Sequence, residues 1–569
     1  MPAKHVAQFV SAVEQQYGPA NSDLVTAGLS QAAGSGNEAR KMHRLLVMAG
    51  LKADMPVRRL PGPFPLPVLY MTDWTTALQK RGMMRRLYGG LRDDEVERIL
   101  SLYWQRMRKL IPNHEVFQMI DQGLLHSSTC IPMYIHTDEG RGLKKSGLMV
   151  VSSSPALGRG TAKQRRTRIL EHKLGLNFLG ATEGNRFVHV ATPKSYYDEA
   201  PDKYQSMLSY IALNCRMLID EGFQHSGKQW HLVYVSSIGD WPAHVKNGNL
   251  LRHFGRSIKK ANTPPSAWRG ICHFCSAGIE GVPWEHYSLN AKSLQTVGLV
   301  EAWKEDGALL NLIIHHGARH EAYQPDIWHG WSLGWGKEVA ASAAVLLVPF
   351  FEGARIDDRV AAMDLAIKQY LRDRPGEHLS FNLLTRSKLG WTTAGDFPKG
   401  AWQKAEDTRI MMQFLIAYMQ GRPWAENGDK LLDQLQSALE MIDQCFAELY
   451  GHGYFLDAAD GKRLASMGLT FLQTMSSCIA MCVRANRCLF KQQPKTHMLF
   501  HAFATMWQDS VAHGYCLNPL ATSCQMLEDH IGKTCRSSRR VDPRQTSYRT
   551  LQASLINAGM KWAEPYDYD

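Results

Sequence analysis

The sequence lacks the features that mark secreted, membrane-spanning or disordered proteins. Its longest mostly apolar run, Val339 to Phe351, spans 13 residues and contains Pro349, whereas a membrane-spanning helix needs about 20. The first residues do not have the charged-then-apolar layout of a secretory signal. The 11 cysteines are scattered apart from one close pair, which favours a reducing compartment over a disulfide framework. We therefore expect a soluble intracellular protein that does not enter a membrane.

What the sequence does contain is a globular composition with an excess of positive charge. Hydrophobic residues make up 44% of the 569 residues, enough for two to four packed domains. Lysine and arginine number 65 against 53 acidic residues, a net charge of +12. Such a surface attracts polyanions, of which nucleic acid is the commonest in cells.

Hydrophobic periodicity predicts an α+β fold in three parts. Residues 1–125 form a helical N-terminal region, 126–345 a mixed-sheet core, and 346–569 an all-helical C-terminal domain. The core pattern is three short strands, a helix and a fourth strand, which is the order of an RNase H-like half-sheet, although other α/β domains share it. The strands are predicted at 132–136, 146–152, 187–191 and 231–238, and the helix at 201–221.

Three acidic residues stand where a metal-dependent nuclease needs them. Asp138 ends the first strand and Asp240 ends the fourth, followed by Pro242, while Glu338 opens the apolar helix. Phosphodiester cleavage commonly uses two divalent cations held by such carboxylates, and Mg²⁺ prefers oxygen ligands. The alternative is that the aspartates are turn residues and the glutamate is a surface residue. Glu406 or Asp407 is a second choice of third acid if the helical insertion is longer.

A second group has the composition of a zinc site. Cys272 and Cys275 form a C-x2-C pair, and His315 or His316 with His320 supplies two imidazoles about 40 residues later. The alternative is two buried cysteines and unrelated histidines. Between these groups and Glu338 lies a D-x2-H segment of Asp326 and His329, which is expected to brace the metal carboxylates or orient a phosphate.

The runs MYIHTDEG, HLVYVSSIGDWPAHVK, CHFC and PDIWHGWSLGWGKE together resemble the transposases of CACTA and Plavaka-type DNA transposons. The resemblance covers about residues 130–345. It implies an RNase H-like core that cleaves DNA and transfers strands, with Asp138, Asp240 and Glu338 binding Mg²⁺ or Mn²⁺. It also implies the zinc ligands named above, DNA as partner and a nuclear location, and it leaves a homo-oligomer open. Glu139 beside Asp138 makes the first position ambiguous by one residue.

A basic segment between two predicted strands is the candidate DNA contact. It contains Arg159, Lys163, Arg165, Arg166 and Arg168, and each phosphate that such residues neutralise makes binding more sensitive to salt. A solvated loop is the alternative. Two other functions stay open: a domesticated or decayed descendant that binds DNA without catalysis, and an unrelated helical enzyme in which the CHFC pair is structural or redox-active.

Overall fold

The computed structural model describes residues 38–62, 65–142, 146–167, 174–198, 200–257, 264, 268–539 and 541–564. The fold is mixed α+β and 53% helical, with a curled mixed sheet and a helical C-terminal region. The predicted fold class is confirmed at this level.

The chain ahead of the main sheet is mostly helical, as the periodicity predicts. Its elements are β1 (Arg58–Arg59), β2 (Pro67–Val68), α1 (Glu38–Met48), α2 (Met71–Lys80), α3 (Val96–Leu110) and α4 (Glu115–Asp121). Helix α3 buries Leu100, Tyr103, Trp104 and Met107 at helical spacing. The indole of Trp104 donates to the carbonyl of Cys130 at 2.8 Å, which attaches α3 to the start of the sheet.

The central part of the chain supplies the strands. They are β3 (Cys130–Arg141), β4 (Gly147–Pro155), β5 (Leu157–Gly158), β6 (Gly175–Leu176), β7 (Phe187–Pro193), β8 (Phe223–His225), β9 (Lys228–Ile238) and β10 (Tyr323–Gln324). The main sheet has the order β10-β9-β3-β4-β7, and β8 pairs with the start of β9. Strands β3, β4 and β7 are antiparallel neighbours, whereas β9 runs parallel to β3 and β10 parallel to β9.

The two middle strands are buried on both faces. Residues 130–137 of β3 and 230–238 of β9 are all buried, as expected for central strands with near-continuous apolar sequence. Four helices lie within this part of the chain: α5 (Ala162–Thr167), α6 (Thr182–Asn185), α7 (Pro201–Asp220) and α8 (Trp241–Gly248). Helix α7 packs on β9 through an apolar stripe that includes Leu208, Ile211 and Cys215.

The rest of the described chain is mostly helical, although the region after residue 345, predicted to be all-helical, also contains one pair of short strands. Its helices are α9 (Ile327–Gly330), α10 (Gly336–Leu347), α11 (Ile356–Arg372), α12 (Arg386–Leu389), α13 (Ala405–Met419), α14 (Lys430–Leu449), α15 (Ala458–Arg484), α16 (Lys495–His513), α17 (Gln525–Ser538) and α18 (Thr546–Ala563). A π-helical turn, Trp331–Trp335, joins α9 to α10. The short strands β11 (Phe455–Asp457) and β12 (Tyr515–Leu517) pair with each other.

The last two helices return to the sheet and complete its core. Helix α17 packs against β3, and α18 packs against β7. The Trp562 ring of α18 meets Trp74 edge to face at 5.9 Å, and its indole donates to the carbonyl of Gly184 at 3.1 Å. The predicted helical region after residue 345 therefore contributes directly to the layer that covers the strands.

Among the described residues, two helical stretches are long and apolar enough to cross a membrane by length and composition alone, Ile327–Phe350 and Ala458–Arg484. Buried helices in the core of a globular protein have the same composition. In the first stretch, 72% of the most apolar window is buried inside the fold, and in the second 39%.

Candidate metal centres

Asp138 and Asp240 lie at the same edge of the sheet. Strands β3 and β9 are parallel, and their last paired residues are His136 and Ile238. Each aspartate follows its paired residue by two positions, so the two carboxylates leave neighbouring strands side by side. Burial raises the pKa of Asp240 to about 6, and the negative charge of Asp138 adds to the rise. The juxtaposition expected from the sequence is present.

The local sequence holds Asp240 in place. Its carboxylate caps helix α8 by accepting a hydrogen bond from the amide of Ala243 at 2.7 Å. Pro242, in the first turn, has no amide hydrogen to offer and fits a helix start. The cap fixes one carboxylate oxygen, Oδ1, while the side chain stays beside Asp138.

A third carboxylate reaches Asp138 from helix α17. Glu528 hydrogen bonds to Asp138, and one ligand atom from each of His136, Asp138 and Glu528 lies within 4.8 Å of the others. Burial, together with the charge and hydrogen bond of Asp138, raises the pKa of Glu528 well above its usual value. Burial alone would raise the pKa of Asp138 too, but the Glu528 hydrogen bond and the charges of His329 and His136 lower it. These opposite pKa shifts favour the protonated form of Glu528 and the ionised form of Asp138.

His136 supports a cation at this position. Its side chain is fully buried, and neither ring nitrogen has a hydrogen-bond partner among the described residues. Burial lowers the pKa of this imidazole to about 4, so the ring is neutral and offers a lone pair. A buried polar group without a partner is costly. A cation held between this ring and the carboxylates would remove that cost.

A second group of possible ligands adjoins the first. Asp326 caps α9 through the amide of Trp328 at 2.8 Å and accepts from Nδ1 of His329 at 2.6 Å. Asp326, His329 and the buried Cys524 have ligand atoms within 4.8 Å of one another. The other ring nitrogen of His329 lies 3.6 Å from Oε1 of Glu528. His329 thus connects the two groups.

Burial alone would lower the pKa of His329, but the hydrogen bond and charge of Asp326, with Asp138 and Asp240, raise it. His329 is therefore held close to its charged form, which suits an imidazole that faces anions. The predicted supporting pair, Asp326 and His329, therefore lies beside the three carboxylates Asp138, Asp240 and Glu528. We call these three carboxylates the acid site.

The structure brings Glu528, rather than the predicted Glu338, beside Asp138. Glu338 lies at the start of α10, where its side chain contacts Gln493 rather than Asp138 or Asp240. Both alternative acids are engaged elsewhere: Glu406 pairs with Arg409, and Asp407 accepts two hydrogen bonds from Ser380. The acid that does lie beside Asp138 is Glu528, on helix α17 near the end of the described chain.

The cysteine pair has two histidines beside it. Cys272 and Cys275 lie with His497 and His501 of α16, all four buried, with their ligand atoms within 4.8 Å of one another. The sulfur of Cys275 is 3.2 Å from Nε2 of His497 and 3.3 Å from Nε2 of His501, and the sulfur of Cys272 is 3.5 Å from His501. Zinc–sulfur bonds of about 2.3 Å and zinc–nitrogen bonds of about 2.0 Å give tetrahedral edges of roughly 3.5 Å. The four ligand atoms fit such an ion.

The surroundings of this cluster orient its ligands. Nδ1 of His497 bonds to the carbonyl of Trp284 at 3.0 Å, a contact that fixes the ring so that Nε2 faces the cysteines. The guanidinium of Arg252 donates to the carbonyls of Cys272 and Cys275 at 3.0 and 2.9 Å. The C-x2-C loop is thereby held in one conformation.

The predicted histidine ligands were wrong. His315 lies 2.9 Å from Glu321 through one nitrogen and bonds to the carbonyl of Val235 through the other. His316 is exposed, and His320 packs its ring against Phe274 at 5.7 Å. The histidines that do lie beside the cysteines, His497 and His501, have their own signal in the sequence, because they are four residues apart and share one face of a helix.

The basic segment proposed for DNA lies only partly within the described residues. Arg159 is half-buried, and Lys163 donates to the carbonyl of Ala447 at 2.8 Å. The side chains of Arg165 and Arg166, and the whole of Arg168, lie outside the described residues. Its role in binding DNA remains a prediction.

Comparison with known proteins does not identify a family for this chain. No family model matches the chain, and no curated protein sequence matches it. Any functional assignment therefore depends on the geometry above and on the resemblance of the short motifs.

Proposed function

We propose that this chain is a nuclear, metal-dependent DNA strand transferase of the DDE type, similar to CACTA and Plavaka transposases. The observation that carries the proposal is the convergence of Asp138, Asp240 and Glu528 beside His136 and His329. The order of acids along the chain, with the third one far downstream on a helix, is Asp, Asp, Glu.

The strand order supports an RNase H-like core. Strands β7, β4 and β3 are antiparallel neighbours on one side of the sheet. On the other side of β3, strands β9 and β10 run parallel to it, which gives the order β7-β4-β3-β9-β10. Asp138 lies within β3, two residues past its last pair with β9, and Asp240 follows the end of β9 by two residues. The sequence analysis expected Asp138 to end its strand, but β3 continues to Arg141 as a partner of β4. Open sheets commonly bind ligands at the carboxyl edge of parallel strands. Helix α17, which packs on β3, brings Glu528 to this edge.

The acid site suits divalent cations of the Mg²⁺ or Mn²⁺ type, with Asp138, Asp240 and Glu528 as oxygen ligands and His136 as a nitrogen ligand that Mn²⁺ accepts more readily. Such ions, when bound, activate the attacking oxygen and stabilise the leaving oxygen of a phosphodiester. Glu528 must release its proton before all three carboxylates can bind as anions. His329, held by Asp326, would donate a charge-assisted hydrogen bond to a phosphate oxygen.

We further propose that Cys272, Cys275, His497 and His501 bind a structural zinc ion. Two thiolates and two imidazoles are the ligands that zinc prefers in closed tetrahedral sites. The site would join the loop after α8 to helix α16, and binding would contribute directly to folding free energy. Because α16 begins at Lys495, next to the acid site, the zinc would also fix the wall of that site.

The decisive experiment is a strand-cleavage assay with and without Mg²⁺ or Mn²⁺. Its substrate is duplex DNA that carries the terminal repeats on either side of the gene that encodes this chain. We expect Asp240→Asn, which keeps the side-chain oxygen that caps α8, to abolish cleavage while DNA binding and the melting temperature stay unchanged. Asp306→Ala, at a surface ion pair with Arg319, is the matched control and should cleave normally. Equal cleavage by wild type and the Asp240 variant would refute the proposal. DNA binding by the wild type without cleavage would instead identify a descendant that has lost its chemistry.

A further inference from the structure

Four lysines surround one buried glutamate at the start of helix α10. Glu338 is 9% exposed, and its Oε2 has no hydrogen-bond partner among the described residues. Burial raises the pKa of Glu338 to about 7, and nearby lysine charges oppose the rise. These lysines are Lys337, Lys399, Lys491 and Lys495. We call them the lysine cluster.

Backbone contacts bring one side of the lysine cluster together. The indole of Trp335 donates to the carbonyl of Lys491 at 3.0 Å, and the amide of Phe490 donates to Ser342 at 2.9 Å. The chain from 490 to 495 therefore runs along the first turns of α10. A Cβ atom placed on Gly334 would be 3.6 Å from Cδ of Lys495, so this lysine side chain crosses the π-helical turn.

The segment that contains Lys399 and Gly400 forms the other side of the lysine cluster. Gly400 has a φ of +60°, and a Cβ atom there would lie 2.6 Å from the carbonyl oxygen of Lys337. Only glycine permits this close approach. It places Lys399 beside the start of α10, so segments that are far apart in the sequence contribute charge to one surface.

The positive charge of this surface is poorly balanced. None of the four lysines forms an ion pair within the part of the chain that the structure describes. Burial and the charge of Lys495 lower the pKa of Lys337, while Glu338 and Asp407 oppose the shift. Asp407 is already occupied by two hydrogen bonds from Ser380. Lysines that repel one another at close range are most stable beside an external anion.

The lysine cluster is continuous with the acid site. Lys495 lines a small cavity together with Gly239, Asp326 and His329. Its charge also acts on Asp240, next to Asp138. Lys399 and Lys491 are exposed, whereas Lys337 and Lys495 are half-buried. The positive surface therefore starts beside the carboxylates and ends in solvent.

We propose that the lysine cluster binds the phosphate backbone of the DNA strand at the point where the strand leaves the acid site. The inference deepens the proposed function, since it rests on DNA as the substrate. A backbone contact of this kind is independent of base sequence and positions the strand without reading it. Glu338, beneath the lysines, limits their charge rather than binding a catalytic metal.

The test is the salt dependence of DNA binding, measured by fluorescence anisotropy without Mg²⁺ or Mn²⁺ so that no cleavage occurs. The variant carries Lys337→Gln, Lys399→Gln, Lys491→Gln and Lys495→Gln. We expect at least a tenfold loss of affinity for duplex or single-stranded DNA, and a log–log salt slope less steep by roughly 0.9 for each duplex phosphate contact removed. The probe that loses more affinity identifies the form of the bound strand.

The control replaces Lys228 and Lys561 by glutamine, because these lysines pair with Glu97 and Glu564 on the surface. It should keep the wild-type slope. An unchanged slope in the four-lysine variant, at an unchanged melting temperature, would overturn the inference. Should the four-lysine variant fail to fold, Lys399→Gln and Lys491→Gln alone, at the exposed end, must still reduce the slope. Asp240→Asn tests cleavage separately, so a failed lysine prediction is distinguishable from a failed nuclease.

Discussion

Glu528 on helix α17 lies beside Asp138 on strand β3, with one carboxylate oxygen of each residue within 4.8 Å of the other. The contact joins the end of the helical region to the first strand of the sheet core. It makes the acid site a product of the tertiary fold, since no single stretch of sequence contains more than one of the three carboxylates. Loss of this contact should therefore affect chemistry more than local structure.

We expect Glu528→Gln to reduce metal-dependent cleavage by about 100-fold or more, because a neutral amide cannot replace a carboxylate ligand. DNA binding should stay within about twofold of wild type. Glu406→Gln is the control, since Glu406 pairs with Arg409 on the surface. Cleavage rates on the same duplex measure both. Normal cleavage by the Glu528 variant would exclude this residue as the third acid.

The strands and helices were predictable because their hydrophobic patterns are local. The run HLVYVSSI predicted a buried strand at 231–238, and β9 extends it by only three residues at its start. Asp138 and Asp240 could be paired from sequence since parallel neighbours end at one edge. The approach of Glu528 to Asp138 could not be predicted, because nothing local distinguishes Glu528 in CQMLEDH from any other helix-start glutamate. Only the packing of α17 on β3 selects it.

The zinc-like cluster of Cys272, Cys275, His497 and His501 differs from the acid site, because the local sequence did contain a pattern that could have identified its histidines. His497 and His501 stand at helical spacing, as ligands on one helix face must. Proximity in the sequence to Cys275 favoured His315 and His320 instead, but the loop between them folds against β9 and Glu321. Distance along the chain was a poor guide because the cluster joins segments more than 200 residues apart.

We expect the purified wild-type protein to retain one zinc ion per chain after dialysis against a weak chelator. His501→Ala and Cys275→Ser should lose it and unfold several degrees lower, because structural zinc contributes to folding free energy. His320→Ala is the matched control and should keep its zinc. Elemental analysis and thermal melts report the two effects. Zinc retained by the His501 variant, or lost by the His320 variant, would contradict the assignment.

The turn after His329 depends on a glycine. A Cβ atom on Gly334 would lie 2.3 Å from the carbonyl oxygen of His329, so Gly334→Ala must shift the turn that carries this histidine. We expect a loss of about 1–3 kcal/mol in the free energy of unfolding. Cleavage should fall by about tenfold or more, because small displacements of positioning groups are costly.

Gly395→Ala serves as the control for that substitution. A Cβ atom on Gly395 would come no closer than 3.9 Å to its nearest neighbour. Denaturant unfolding and cleavage rates should match wild type for this variant. If Gly334→Ala behaves in the same way, the close approach to His329 is not a constraint on the site.

Asp509 should make the stability of the protein depend on pH. It lines a cavity of about 270 Å³ beside the zinc-like cluster, together with Glu321. Burial and the charge of Glu321 raise the pKa of Asp509 to about 7. In the unfolded chain this carboxyl ionises near pH 4. Its contribution to stability is therefore lost as the pH rises from about 4 to about 7, since the unfolded chain releases the proton first.

Asparagine mimics the protonated carboxyl, so Asp509→Asn should be more stable than wild type at about pH 8, by about 1–3 kcal/mol, and about equally stable below pH 4. Asp121→Asn is the contrasting variant, because the hydrogen bond from Arg108 lowers the pKa of Asp121. It should give no stabilisation at either pH. Urea unfolding at both pH values measures the difference. A pH-independent effect of Asp509→Asn would mean that this carboxyl ionises normally in the folded protein, and that the cavity is open to water.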